Sequence, residues 1–183
     1  IIDVNVIFEG EVKLGKNVLI SPNCIIKNSK IGDNAHIMPN SIVEDSVIGN
    51  HTSIGPFARI RPETKIGSHA KIGNFVEVKK STINDNSKVS HLSYIGDSQI
   101  GKGVNIGAGV ITCNYDGVNK SRTTIGDGAF IGSNSQLIAP VSIGKNATIG
   151  AGSTITQNTP DEKLTLSRNK QSTISKWKRP QKK

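Results

Sequence analysis

Between His91 and Lys120 the chain reads HLSYIGDSQIGKGVNIGAGVITCNYDGVNK, a stretch that gathers several side chains able to do chemistry. Imidazole as a class titrates near neutral pH, so His91 can take up a proton that an attacking amine or hydroxyl must lose. A lone outward histidine at a turn is equally a solvated surface residue, and both readings stand at this point. Cys113 could act as a nucleophile, but no neighbouring residue in sequence is an evident base to activate it. Arg61 and Lys79 each follow an aliphatic residue at the same place in a repeat. If they stack about 5 Å apart without a counter-charge they repel, unless an anion such as a phosphate lies between them. Surface solubility and a phosphate site both fit that pair.

These side chains are carried by a repeat of six residues. Aliphatic residues recur from Ile2 through Phe8, Leu14, Ile20 and Ile26, then from Ile31 to Ile106, and after an interruption from Ile125 to Ile155. Thr112 alone breaks the apolar rule. Glycine often follows the aliphatic residue, and Asn or Gly often stands three after it, as at Asn17, Asn34, Asn86, Gly109 and Gly152. Those two types tolerate the positive φ of a tight turn. A small residue comes fourth, as at Cys24, Ala35, Ser41 and Ala58. Each hexad therefore reads as a short strand plus a turn. A six-residue period puts apolar residues on no single helical face, which excludes a helix. Three hexads per turn close a triangular coil of parallel strands, stabilised by contacts between neighbouring turns.

Five-residue steps begin at Ile26, Val43, Val78 and Ile95, so one corner of the triangle is consistently irregular. Ile60 and Thr112 share that column, and the segment 113–124 is inserted beside Thr112. The repeat predicts a β-helix over 1–160 and a basic tail over 161–183, with a short helix at Ser172–Lys178, closed by Pro180 and capping the rod with Trp177. The chain opens on Ile1 with the repeat already in register, so it reads as a piece of a longer protein.

Composition narrows the class. Aromatic residues make up 4% of the chain, against 19 glycines, which argues against a bulky aromatic core. No apolar run approaches the roughly 20 residues that span a bilayer. Two cysteines, Cys24 and Cys113, fit neither a metal nor a redox spacing and are expected as free thiols in a reducing cytoplasm. The net charge of +9 is concentrated at the end, where residues 163–183 hold eight Lys and Arg and no acid. Such a tail is solvated or contacts anions, nucleic acid among them; its lack of aromatic partners beyond Trp177 argues against base stacking. The remaining histidines, His36, His51 and His69, show no three-histidine zinc arrangement, and no metal is expected.

The runs IGPFARIRP, GNFVEVKK, HLSYIGD, VNIGAGVITCNYDG and the late W-K-R-P resemble the hexapeptide-repeat acyltransferases. Within them they are most similar to the carboxy-terminal acetyltransferase domain of the bacterial bifunctional enzymes that make UDP-N-acetylglucosamine. The resemblance covers essentially the whole chain. It implies a left-handed parallel β-helix, a handedness that periodicity alone does not give, and a homotrimer with sites between subunits. It implies transfer of acetyl from acetyl-CoA to the amine of glucosamine-1-phosphate, with a uridylyltransferase domain expected before Ile1 and no nucleic-acid or membrane partner. By resemblance His91 is the general base, Arg61, Lys79 and Lys120 hold the sugar phosphate, with Lys120 reaching from a neighbouring subunit, and Tyr94 and Asn105 contact the sugar. The backbone N–H of Ala108 faces the acyl carbonyl. Asn114 and Tyr115 take the acetyl and pantetheine end of acetyl-CoA, Ser133 and Ala151 line its groove, and Arg168 meets the CoA phosphates. The alternative reading is a hexapeptide acyltransferase acting on another amine or hydroxyl.

Overall fold

The computed structural model describes residues 1–179. The chain winds as an all-β solenoid of about nine turns, each turn contributing one short strand to each of three parallel sheets. Leu19–Ile20 through Leu164–Thr165 form the first face and Ile7–Glu9 through Thr154–Ile155 the second. Lys13–Leu14 through Val141–Ile143 form the third. The faces hold nine, nine and eight strands.

The aliphatic residue of each hexad points inward and stacks on its counterpart one turn away. On the first face Ile54, Ile72, Val89 and Ile106 pair in register. On the second face the pairs are Ile60 with Val78 and Val78 with Ile95. These side chains are all but inaccessible to solvent, and each contributes about 1.5–3 kcal/mol through burial. The small fourth residues, Cys24, Ala35, Ser41, Ala58, Ala70, Ala129 and Ala147 among them, fill the interior at the corners.

The third residue of the hexad takes positive φ as expected at Asn17, Asn34, Asn86, Gly109 and Gly152. The same conformation continues where the sequence has no Asn or Gly, at His51, Phe57, Glu63, His69, Phe75 and Leu92. Stacking between turns therefore fixes the backbone against local preference over the middle of the rod. At the corner between the third and first faces, side chains cap backbone amides of the turn below: Asp33 accepts from Lys16 N–H at 2.7 Å, Asp85 from Ser68 at 2.8 Å and Asp127 from Lys102 at 2.7 Å. The corner between the second and third faces is the irregular one. Where the step is five residues, Asn28, Asp45, Lys80 and Asp97 turn with φ of 43–47°, and serines bond between turns, Ser46 N–H to Ser29 Oγ at 3.1 Å and Ser98 N–H to Ser81 Oγ at 2.9 Å.

The exception to the apolar rule has a local cause. The strands Tyr94–Gly96 and Ile111–Cys113 pair only through Tyr94 and Ile111, because the chain leaves the coil after Cys113. Gly96 N–H thereby loses its ladder acceptor and donates instead to Thr112 Oγ1 at 2.8 Å, inside the core. Thr112→Val keeps the shape and strands that amide, so unfolding stability is expected to fall by about 1–3 kcal/mol, read as a shift in urea midpoint at unchanged slope.

The carboxy-terminal end departs from expectation. The coil does not stop at Thr159: that residue bridges to Ile143, and Leu164–Thr165 adds a further strand beside Thr148–Ile149. The short helix expected at Ser172–Lys178 is absent; a single turn, Trp177 N–H to Ile174 O at 3.2 Å, stands there, and Pro180 lies outside the described residues. Seven residues rich in Ser, Thr and Lys cannot sustain a helix without a packed face. Trp177 is 63% exposed and caps nothing among the described residues. No helix among the described residues is long and apolar enough to cross a membrane.

Candidate functional site

Four of the expected site residues lie along the corner between the first and second faces. His91 stands two residues after Val89, and Ala108, Ser133 and Ala151 stand two after Ile106, Ile131 and Ile149. They therefore form one row up the rod, one per turn. Backbone bonds tie the row together: His91 O accepts from Gly109 N–H at 3.3 Å, Ala108 O from Asn134 N–H at 2.7 Å and Ser133 O from Gly152 N–H at 2.8 Å. With turns about 4.8 Å apart, the row from His91 to Ala151 is roughly 14 Å long. His91, Ser133 and Ala151 are exposed, and Ala108 N–H meets no acceptor among the described residues. At the top of the row Arg168 donates from Nη1 to Ala151 O at 3.0 Å. Arg168 also borders a groove of about 600 Å³ with Gly152, Thr154, Leu166 and Ser167. The imidazole Nδ1 of His91 lies 2.8 Å from Oδ1 of Asn74, one turn below.

The cations stand at the far end of the second face. Arg61 and Lys79 stack as expected, but they are not both without counter-charge. Arg61 Nη1 is 2.7 Å from Glu77 Oε1, a contact that holds the guanidinium proton more tightly than usual. Glu77 sits one turn above Arg59 in the same sheet; its position two before Lys79 is the sequence signal that would have found it. Among the described residues Lys79 has no such partner. Lys120, placed on the inserted loop, brings its ammonium beside that of Lys79 within the same chain. Lys79 holds its proton less tightly than an ordinary lysine because of Lys120 and, further off, Arg61. Lys120 holds its own more tightly, because its ammonium donates to Lys79 once Lys79 has given up its proton and because Asp97 is near.

The inserted loop is an ordered hairpin in which Tyr115 bridges Lys120. Asp116 accepts from Val118 and Asn119 N–H at 2.8 and 2.6 Å, which keeps its carboxyl below the usual range. Asn114 is buried; its side-chain amide donates to Asp97 and its carbonyl accepts from Ser121 N–H. That residue anchors the loop, while Tyr115 is 59% exposed and its hydroxyl donates to Gly117 O. Tyr94 lies half-buried on the second face, its ring folded over Gly96, where any Cβ would collide with the phenol. Asn105 is not brought to the same face: it pairs in register with Lys88 and Phe130 on the first face, around the corner.

Both cysteines are unpaired, and burial raises their thiols above the ordinary range, Cys113 included. A thiol held protonated is a poor nucleophile. The other histidines are dispersed: His36 Nε2 lies 2.9 Å from Ser21 Oγ, and His51 and His69 stack with centroids 4.7 Å apart.

Comparison with known proteins gives two family matches. The GMPPB C-terminal domain model matches residues 1–64 and 50–126, and the bacterial transferase hexapeptide model matches 122–157. The bifunctional protein GlmU of Ruthia magnifica is 67% identical over 100% of this chain, and that of Methylococcus capsulatus 60% identical over 99%. The chain spans about 40% of the length of these relatives. Among solved structures, LpxA from Acinetobacter baumannii superposes with a TM-score of 0.80 at 20% identity, over 91% of this chain and 71% of that one. PerB from Caulobacter crescentus, solved with CoA and GDP-perosamine, gives 0.56 at 22% over 63% of this chain and 53% of its own.

Proposed function

This chain belongs to the family of the GMPPB C-terminal domain, and from that membership and its likeness to the bifunctional GlmU proteins we propose that it is an acetyltransferase. It moves acetyl from acetyl-CoA to the amine of glucosamine-1-phosphate, giving N-acetylglucosamine-1-phosphate for cell-wall precursor synthesis in the cytoplasm. The observation that carries this reading is the row from His91 to Ala151, which presents an exposed imidazole, a backbone N–H without an acceptor among the described residues, two small side chains and, at its top, an arginine.

The row fits a thioester substrate. Ser133 and Ala151 leave room for an extended pantetheine arm, Tyr115 contacts its acyl end from the inserted loop, and Arg168 suits the phosphates beyond it. Ala108 N–H faces the acyl oxygen and stabilises the charge that develops there. His91 accepts the proton as the amine attacks the thioester carbon. It returns that proton to the CoA sulfur as the carbon–sulfur bond breaks, so no covalent enzyme intermediate forms. Arg61, Lys79 and Lys120 hold the sugar phosphate, and Tyr94 contacts the ring.

The homotrimer is part of the same proposal. Phe57 and Phe75 stack at 5.4 Å beside the row, and with Leu92 they are half or more exposed. All three hold positive φ, where bulky apolar residues are strained and Asn or Gly is not. Neighbouring copies covering this corner bury them and bring Asn105 of one chain toward Tyr94 of the next. Substituting Asn at both Phe57 and Phe75 relieves the strain while removing the apolar surface. The expected result is dissociation to monomers by sedimentation, with loss of turnover; an intact trimer removes this face from the interface.

The test of the reaction is release of CoA thiol from acetyl-CoA with glucosamine-1-phosphate, beside glucosamine and glucosamine-6-phosphate. Turnover confined to the 1-phosphate supports the reading. Turnover with another amine or hydroxyl alone replaces it with a related acyltransfer, and turnover with none overturns it.

A further inference from the structure

The imidazole of His91 has one hydrogen-bonding partner among the described residues, the side-chain amide of Asn74. We propose that Asn74 is a positioning residue that fixes the tautomer of His91, so that the ring carries its proton on Nδ1 and presents a bare Nε2 to the substrate. The proposal rests on reading His91 as the base.

The backbone is built for this contact. Lys71–Asn74 and Lys88–His91 are four residues long, whereas the other strands of the rod have two or three. The extra length ends on the pair itself, since Asn74 and His91 are register partners. Gly73 permits the close approach: a Cβ there would overlap the backbone of Ser90, whose carbonyl carbon would lie at 2.7 Å. Asn74 is half-buried, and Leu92 N–H donates to its carbonyl at 3.1 Å, so the residue is held from both sides of the turn.

The chemistry then follows from donor and acceptor capacity. An amide oxygen only accepts, so the ring nitrogen 2.8 Å from Oδ1 must be the donor. In a neutral ring a proton on Nδ1 leaves the lone pair on Nε2. An unpartnered imidazole favours the opposite form, with its lone pair on Nδ1, turned toward the rod. Lys71 and Lys88, at the far ends of the two strands, are the charged side chains these strands carry, and Ala108 one turn above has none. A neutral amide therefore does here what a carboxylate does in other acid–base pairs, without a standing ion pair. Once Nε2 takes a proton, the Nδ1–H bond becomes charge-assisted and shortens.

The test uses the whole chain labelled with nitrogen-15. In the unsubstituted protein, the His91 spectrum is expected to show a protonated Nδ1 and an unprotonated Nε2. Asn74→Ala is expected to shift the ring to the Nε2–H form and to lower kcat by at least roughly tenfold, with KM for both substrates little changed. Asn74→Asp restores an acceptor for Nδ1 and recovers both the tautomer and most of the turnover. An Nε2–H ring in the unsubstituted protein, or undiminished kcat in Asn74→Ala, overturns the proposal. Absence of turnover in the unsubstituted chain overturns the functional reading instead, and the spectra still decide the tautomer.

Discussion

His91→Ala is expected to lower turnover of glucosamine-1-phosphate by roughly 10²–10⁴-fold, the usual worth of a positioned acid–base group, while the fold and the proposed assembly persist. The loss is confined to chemistry because the side chain carries no packing. His91 is exposed, its ring bonds only to Asn74 among the described residues, and the buried column beneath it runs through Val89. Its φ is not in the left-handed region that marks the next residue, Leu92, so alanine meets no backbone penalty. Two further measurements separate loss of a base from loss of shape. His91→Gln keeps an amide able to bond Asn74 but cannot take up a proton, and is expected to be as impaired as alanine. Added imidazole is expected to restore part of the turnover of His91→Ala, by filling the space with a diffusible base. CoA-release assays on the three proteins, with sedimentation to confirm assembly, decide it; undiminished turnover in His91→Ala removes the residue from the reaction.

The fold was legible because the hexad states its geometry at each turn. An apolar residue every six positions stacks as parallel strands, and the five-residue steps mark the irregular corner in the sequence itself. What the pattern hid was where neighbour stacking overrides local preference. Phe57, Phe75 and Leu92 take a conformation that Asn or Gly takes elsewhere in the rod, and nothing in their types announces it. Thr112 was visible as a break but not as the acceptor for Gly96 N–H, since that need arises from the departure of the loop. At the carboxy-terminal end the period faded in sequence while strand pairing continued through Leu164–Thr165.

The candidate site was legible in the types of its outward residues and not in their partners. His91, Arg61 and Lys79 stand out, whereas Asn74, Glu77 and Asp97 gain meaning only from the residue one turn away. The offset of 17 between Asn74 and His91 is one turn of the rod, so counting by turns rather than by hexads would have paired them. Asn114 shows the converse, since its motif suggests a ligand contact and its burial against Asp97 ties it to the loop.

Lys79 carries the second large effect. A phosphate dianion placed among Arg61, Lys79 and Lys120 replaces repulsion with three attractions, so Lys79→Met is expected to raise KM for glucosamine-1-phosphate roughly tenfold or more, leaving kcat little changed. The pH dependence identifies the residue. Without ligand, Lys79 sits below the ordinary lysine value of 10.5, because Lys120 stands beside it and Arg61 adds to the field; Asp97 opposes them weakly. Bound phosphate favours the ammonium and raises that value, so the complex binds more protons than its separated parts in the interval between the two. Affinity is therefore full below the free-state pKa of Lys79 and falls as pH rises through it toward the higher pKa of the complex. Glu77 does not blunt the effect, since its carboxylate is engaged with Arg61, and Lys120 keeps its proton to higher pH. Lys79→Arg stays charged across the range, so its KM is expected to be flat where that of the unsubstituted protein climbs. Glucosamine, which lacks the phosphate, is expected to show no such slope with either protein. KM measured from neutral pH upward, with both substrates and all three proteins, checks the sign: a KM that falls as pH rises, or a slope that survives in Lys79→Arg, rules out Lys79 as the titrating contact to phosphate.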